Sequence, residues 1–433
     1  MFKKIVSLVT AVLVLVIAYG VLSAPSGLVV NENGRVVDGG RVEEFWGSER
    51  FSKEVDDNKD GIVDSRQLTF LGATLFAWQE MNVVVLLALI PEQMAMYYAA
   101  GQIYFAFLKQ KKNFHVSKTK LTRISLEINF VNHALPSGGA SGLAYLIWRL
   151  KDLHVTAGQI SFIHALRYGL CAIANTVQTF IAVIIVLAVG CVDPWNYWAI
   201  WLAVAIAIGI QALLITAWLL VRKQKTVDWL STNATKFVNK LLRKVTGKKR
   251  HRFVSEDSVT RFFGDLRTDY LWIRRNRRIL GKPIIWSGIF SFLELATYWV
   301  VGIAMGHPEI LPQIMIAEGV ASVVGLVMPT PGGIGGYEGA MIAVMAATGV
   351  DLSVAIIVVA VTRVCVLLGT IVSGWGFYQH ALMQRDDKFD AKAAANEVTV
   401  SEEEATAEPK VAESKTEEPK AAEAKTTESK NAE

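Results

Sequence analysis

The sequence predicts an all-α, polytopic helical membrane protein, arranged as an inverted repeat of about three spans plus one re-entrant hairpin per half. Three observations lead there. Apolar residues make up 52% of the 433-residue chain and charged residues only 19%, against about 25% charged in a soluble domain. The apolar residues fall in runs that reach the length of about 20 residues a bilayer demands. Two of those runs are broken at their centres by Pro and Gly. This composition excludes an ordinary soluble globular protein and a mostly disordered chain. Cys171, Cys191 and Cys365 are too dispersed for a metal cluster and too few for a disulfide framework.

The run 5–22 follows Lys3 and Lys4 and reads as an N-terminal membrane anchor or first span. A signal peptide cut after Ala24 is the alternative, disfavoured by the length of the run and by Leu22 close to the cut. Either way the positive flank places the N-terminus inside. Segment 23–69 is a polar extracytoplasmic insert with ten acids against six bases. Within it Asp56, Asn58, Asp60, the Ile62 carbonyl and Asp64 have the ligand spacing of an EF-hand-type Ca2+ loop, with Gly61 at the turn. Gln67 stands where a bidentate acid belongs, so a polar turn without metal is the alternative.

The first membrane half, 70–221, continues into the start of the second. A lead-in helix over 68–80 precedes a span at 83–108, which Pro91 interrupts and a Lys/Arg cluster ends. The stretch 124–148 is apolar at both ends but polar and helix-breaking at its centre, Asn132-His133-Ala134-Leu135-Pro136-Ser137-Gly138-Gly139. Basic residues flank both its ends, which fits a re-entrant hairpin rather than a span. Spans at 160–189 and 196–221 follow. The cytoplasmic loop 222–282 carries 18 bases against five acids, in partly amphipathic stretches. It suits either the anionic inner-leaflet surface or a positive-inside loop with no partner; no motif points to nucleic acid.

The second membrane half, 283–385, holds a span at 283–305, a second broken unit at 312–348 and a last span at 353–378. The break is Met328-Pro329-Thr330-Pro331-Gly332-Gly333-Ile334-Gly335-Gly336-Tyr337-Glu338. Residues 386–433, rich in Ala, Glu, Lys, Thr and Ser, form a disordered charged tail. Three crossings per half invert the second half relative to the first. Inverted repeats with broken helices near the midplane mark secondary transporters and related translocators; kinks that only help helices pack are the alternative.

The run Pro329 to Glu338 resembles the second-half signature of the flippase-like transmembrane region of lysylphosphatidylglycerol synthases, a Pro-x-Pro-Gly-Gly-x-Gly-x-x-Glu pattern. Gly349 and Arg363 resemble the glycine and arginine that follow it. Asn129, Asn132, Leu135 and Pro136 resemble the first-half signature. The resemblance covers about 70–385. Where that family often has an acid after the first-hairpin glycines, this chain has Gly142-Leu143. Neither the 222–282 loop nor the tail is long enough for an aminoacyl-transferase domain. The resemblance therefore implies translocation of a membrane lipid or lipid-linked molecule, not lipid synthesis.

Acids and bases at membrane depth cost roughly 2.5–3.5 kcal/mol each on insertion scales, so those present need partners or a function. Glu92, Glu127, Arg167, Glu294, Glu318, Glu338 and Arg363 are such residues. Glu338 and Arg363 form the expected pair, with a structural salt bridge as the alternative. In the functional reading Arg167 and Arg363 hold a lipid phosphate, and Glu338, Glu318 or Glu127 positions an arginine or carries a proton. Asn129, Asn132 and Ser137 bond the headgroup, and Pro136, Gly138, Gly139, Pro331, Gly332, Gly333 and Gly335 shape the hairpin tips. Two other classes remain. One is a lipid-binding regulator without transport. The other is an intramembrane serine protease, because Gly139-Ala140-Ser141-Gly142 resembles the rhomboid nucleophile motif, with His164 as its base. The expected location is the cytoplasmic membrane, with both termini inside.

Overall fold

A computed structural model describes residues 25–31, 52–55, 65–78, 81–110, 116–135, 140–151, 155–190, 192, 194–246, 256–328, 330 and 333–383. The expected first span, the Ca2+-type loop and the tail lie outside the described residues. The membrane region is all-α, as expected. Five helices are long and apolar enough to cross a membrane: Val83–Leu108, Ala157–Val189, Tyr197–Arg222, Arg277–Ala304 and Leu352–Met383. Each coincides with a span expected from the sequence.

The polar insert adds an element the sequence analysis did not predict. Strands β1 (Pro25–Asn31), β2 (Ser52–Val55) and β3 (Ser65–Thr69) form an antiparallel sheet in the order β1-β3-β2. Val29 is opposite Gln67 and Lys53 is opposite the same residue on the other side, with an irregularity between Pro25 and Val29. Helix α1 (Phe70–Trp78) continues directly from β3 and packs against the last span.

Helix α2 (Val83–Leu86) and helix α3 (Leu89–Leu108) make up the first described span. Asn82 caps α2 by accepting from Val84 and Val85, and its own N–H donates to the Ala304 carbonyl at 2.8 Å. The first hairpin is α4 (Lys118–Ala134) and α5 (Ala140–Leu150). Span α6 (Ala157–Val189) opens with a capping box, Thr156 with Gln159, and closes at Gly190, whose φ of 68° suits glycine. Span α7 (Tyr197–Arg222) is peripheral: only Ala199, Ile200, Ala203 and Ala207 are buried, while its outward face is large and apolar. Trp195, Trp198 and Trp201 are exposed at its start, as in an interfacial aromatic belt.

The basic loop folds as two helices, α8 (Gln224–Thr246) and α9 (Glu256–Arg275), which pack on each other. Helix α9 docks on the start of α6. Thr156 donates its hydroxyl to Asp265 at 2.7 Å, and a Cβ on Gly158 would meet the Phe262 carbonyl at 2.8 Å. Span α10 (Gly281–Ala304) leads to the second hairpin, α11 (Leu311–Val327) and α12 (Gly336–Ala347). Span α13 (Leu352–Thr370) runs on through a π-helical turn, Ile371–Trp375. That turn lies against α4 because Gly374 leaves room for the Phe130 side chain. Arg123 of α4 donates to the Phe377 carbonyl just beyond it at 3.3 Å.

Beside a smaller one at Met96, Tyr97 and Leu126, two large apolar clusters hold the bundle. One surrounds the first hairpin, with Ile103, Leu121, Ile128, Leu146 and Ile160 fully enclosed. The other surrounds the second, with Ile314, Ala317, Met341, Met345 and Val358. Among the closest helix pairs are α3 with α10 and α6 with α11. Helices α3 and α4 approach closely at Gly101, where a Cβ would stand 2.7 Å from the Thr122 backbone nitrogen. Overpacking of this kind costs about 1–3 kcal/mol. Gly101→Ala is therefore expected to lower the Tm of the detergent-solubilised protein. Gly209→Ala, where nothing lies within 4 Å of the new methyl, is expected to leave Tm unchanged or higher.

Candidate functional site

Each hairpin begins a new helix within the bundle, where its first backbone N–H groups need partners. The first hairpin supplies one of them from its opposite arm. Asn132 Oδ1 on α4 accepts from the Gly142 N–H at 2.8 Å and from the Ser141 hydroxyl at 3.4 Å. Its amide oxygen occupies the space a Cβ at position 142 would take, so the contact requires glycine. Below this cap, Glu127 is fully enclosed and takes four donors. Arg149 binds it as a fork, Nε to Oε2 at 2.8 Å and Nη2 to Oε1 at 3.1 Å. Arg123 adds 3.1 Å and the Tyr145 hydroxyl 2.9 Å. This clasp ties the two arms together and fills the carboxylate's acceptor sites.

Asn129 faces the other way. Its amide donates to the Tyr97 hydroxyl on α3 and to Thr370 at 2.9 Å, which joins the first hairpin to the end of α13. His133 bonds the Asn129 carbonyl at 2.9 Å. Asn129 and Asn132, expected to bond a headgroup, are both engaged within the protein. Pro136, Ser137, Gly138 and Gly139 lie outside the described residues.

The second hairpin is capped in cis. Glu338, third residue of α12, accepts from the Gly335 N–H at 2.6 Å, and Gly335 has a φ of 91°. The other carboxylate oxygen meets Arg363 Nε on α13 in a pair that is almost fully enclosed. The Arg363 guanidinium stands 5.9 Å from the centre of the Tyr337 ring. Gly333, with φ 72°, lies so near Gly325 that a Cβ would come within 2.9 Å of its backbone. Thr330 closes the tip by donating to the Ile334 carbonyl at 2.9 Å. Pro331 and Gly332 lie outside the described residues.

Between the hairpins a polar seam runs along α6 and α10. On α6 it comprises His164, Arg167, Cys171 and Asn175, spaced three or four residues apart and so on one face. On α10 it comprises Ser287, Ser291, Glu294 and Thr297. Arg167 donates to the Tyr104 hydroxyl at 3.1 Å, and that hydroxyl lies 2.8 Å from His164 Nδ1. Rings of Phe290, Tyr104 and Tyr168 surround the guanidinium at 4.9, 5.4 and 5.6 Å. Glu318 is almost fully buried and accepts from Asn175 at 3.4 Å. Glu92 accepts from Gln93 at 3.0 Å and Thr297 at 3.2 Å.

The protease pairing is not formed. Ser141 donates to the Val131 carbonyl at 3.3 Å, and His164 is engaged with Tyr104. The Ca2+-type ligands Asp56, Asn58, Asp60, Ile62 and Asp64 lie outside the described residues. Among the described residues no group of three or more His, Cys, Asp or Glu is arranged to hold a metal. Residues that sequence reasoning missed are Tyr97, Tyr104, Arg149, Asn175 and Thr370.

Removing one partner from an enclosed, fully bonded ion cluster costs about 3–5 kcal/mol. Glu127→Ala, which strands Arg123 and Arg149, is expected to lower thermal stability by that order. Replacing the exposed Glu309 by Ala is expected to leave it near wild type. Thermal unfolding of the two variants in one detergent checks both.

No curated protein and no solved structure matches the chain. The family described as the lysylphosphatidylglycerol synthase TM region matches residues 68–374. The match takes in both hairpins, the seam between them, four of the five described spans and the last as far as residue 374. The chain belongs to the lysylphosphatidylglycerol synthase transmembrane-region family.

Proposed function

We propose that the protein moves a phospholipid or polyprenyl-linked lipid across the cytoplasmic membrane by alternating access between its two hairpins. The observation that carries this is the retention of charge at membrane depth beside two broken helices. Arg363 is paired with Glu338 at one hairpin, and Arg167 lines the seam that leads from the other. Such groups are expensive in hydrocarbon and mark substrate or ion paths. In this reading the seam carries the headgroup while the acyl chains stay in the bilayer.

The packing supports an inverted repeat. Helix α3 lies against α10, α6 against α11, and α4 against the end of α13. A two-fold axis in the membrane plane exchanges α3 with α10 and converts the α6–α11 contact into the α13–α4 contact. The basic α8–α9 pair is assigned to the anionic inner leaflet, with Trp229 exposed among its lysines and arginines. Both termini are then cytoplasmic.

Proteoliposomes carrying a fluorescent phospholipid test the reading. The wild type is expected to expose inner-leaflet label to an added quencher faster than empty vesicles do. Glu338→Gln and Arg363→Ala are each expected to slow exposure about tenfold or more, the loss of one charge-assisted contact in the transport cycle. Equal rates for wild type, both variants and empty vesicles overturn translocation. Saturable lipid binding with such rates indicates a lipid-binding regulator instead.

A further inference from the structure

The two arginines that follow the hairpins stand in unlike surroundings. Arg363 is the twelfth residue of α13 and pairs with Glu338, the third residue of α12. Arg167 is the eleventh residue of α6, and among the described residues it has no carboxylate within ion-pair distance. The third residue of α5 accounts for the difference. It is Gly142, and Asn132 fills the space any side chain there would need. Each arginine stands near a tyrosine ring, Arg167 near Tyr104 at 5.4 Å and Arg363 near Tyr337 at 5.9 Å.

The Arg167 guanidinium is prepared for an anion. It has five N–H donors, of which a single hydrogen bond, to Tyr104, is used within the protein. The Tyr104 hydroxyl that accepts from Arg167 is itself held by a 2.8 Å hydrogen bond with His164 Nδ1. Three aromatic rings stand 4.9 to 5.6 Å from the guanidinium, and its unused N–H groups have the planar fork that matches phosphate oxygens.

We propose that Arg167 is a standing site for a phosphate ester or phosphate ion, while the equivalent site at Arg363 is shut by Glu338. The proposal rests on the translocase reading of the same seam. It adds which half receives the headgroup and which of its groups is held. Glu338 acts as a lock because it caps its own helix and occupies the arginine at once.

The test uses the full-length protein in detergent, titrated calorimetrically with short-chain phosphatidic acid, inorganic phosphate or short-chain diacylglycerol. The wild type is expected to bind one equivalent of phosphatidic acid and no diacylglycerol. Arg167→Gln is expected to weaken binding about tenfold or more and Arg363→Gln less than about threefold, since only the first removes an unoccupied fork. Glu338→Gln is expected to raise the stoichiometry from one to two. Arg167→Lys keeps the charge without the fork and guards against misfolding; it is expected to fall between wild type and Arg167→Gln. Phosphatidic acid binding alone assigns a lipid headgroup. Inorganic phosphate binding that is lost in Arg167→Gln assigns the free ion. Wild-type affinity in both Arg167 variants, an equal loss in Arg363→Gln, or binding of diacylglycerol overturns the proposal. Arg167-dependent binding without lipid movement in proteoliposomes removes the translocase reading and leaves this site in place.

Discussion

A helix that begins in an apolar bundle must find partners for its first N–H groups within the protein, and the two hairpins meet that constraint in different ways. The first borrows an amide from its opposite arm, Asn132, at the cost of any side chain at position 142. The second uses a carboxylate of its own first turn, Glu338. A carboxylate at a helix start is favoured by the dipole, but in the membrane it also needs a cation, and Arg363 supplies one. The amide cap brings no charge and calls for no such partner. The unlike surroundings of Arg167 and Arg363 thus descend from the choice of cap.

Once the breaks are satisfied, the remaining packing is conventional for a membrane bundle. Small residues bring helices together at Gly101, Gly374 and the alanines of α7. Large apolar side chains on α7 face outward, where lipid is as good a partner as protein. Several polar side chains inside the bundle bond across helices, Arg167 to Tyr104, Asn175 to Glu318 and Gln93 to Thr297, so the seam is a structural joint.

The spans were legible because a run of about 20 apolar residues has few other meanings. Their ends were less so: α6 starts three residues before its apolar run, at a Thr156–Gln159 capping box written in the sequence but polar in character. The small sheet was hidden in an acid-rich insert without alternation, and α8 and α9 in a segment dominated by its charge. Glu338 and Arg363 were legible because one acid and one base stand close to a distinctive glycine run. Tyr97, Tyr104, Asn175 and Thr370 were not. Intramembrane tyrosines and small polar residues are common, and these find partners 32 to 241 residues away. Asn132 was seen, but its role was not, since a cap taken from the opposite arm depends on how the hairpin folds back.

The docking of α9 on the start of α6 joins two environments along one rod. Asp265 bonds the very threonine that caps α6, and Phe262 lies over Gly158. Arg167 lies nine residues further along the same helix, about 14 Å at 1.5 Å per residue. A helix of balanced charge, with four bases and four acids, therefore holds the start of the helix that carries Arg167. Because α6 is one unbroken helix from Ala157 to Val189, the contact with α9 and the buried seam share a single rigid element.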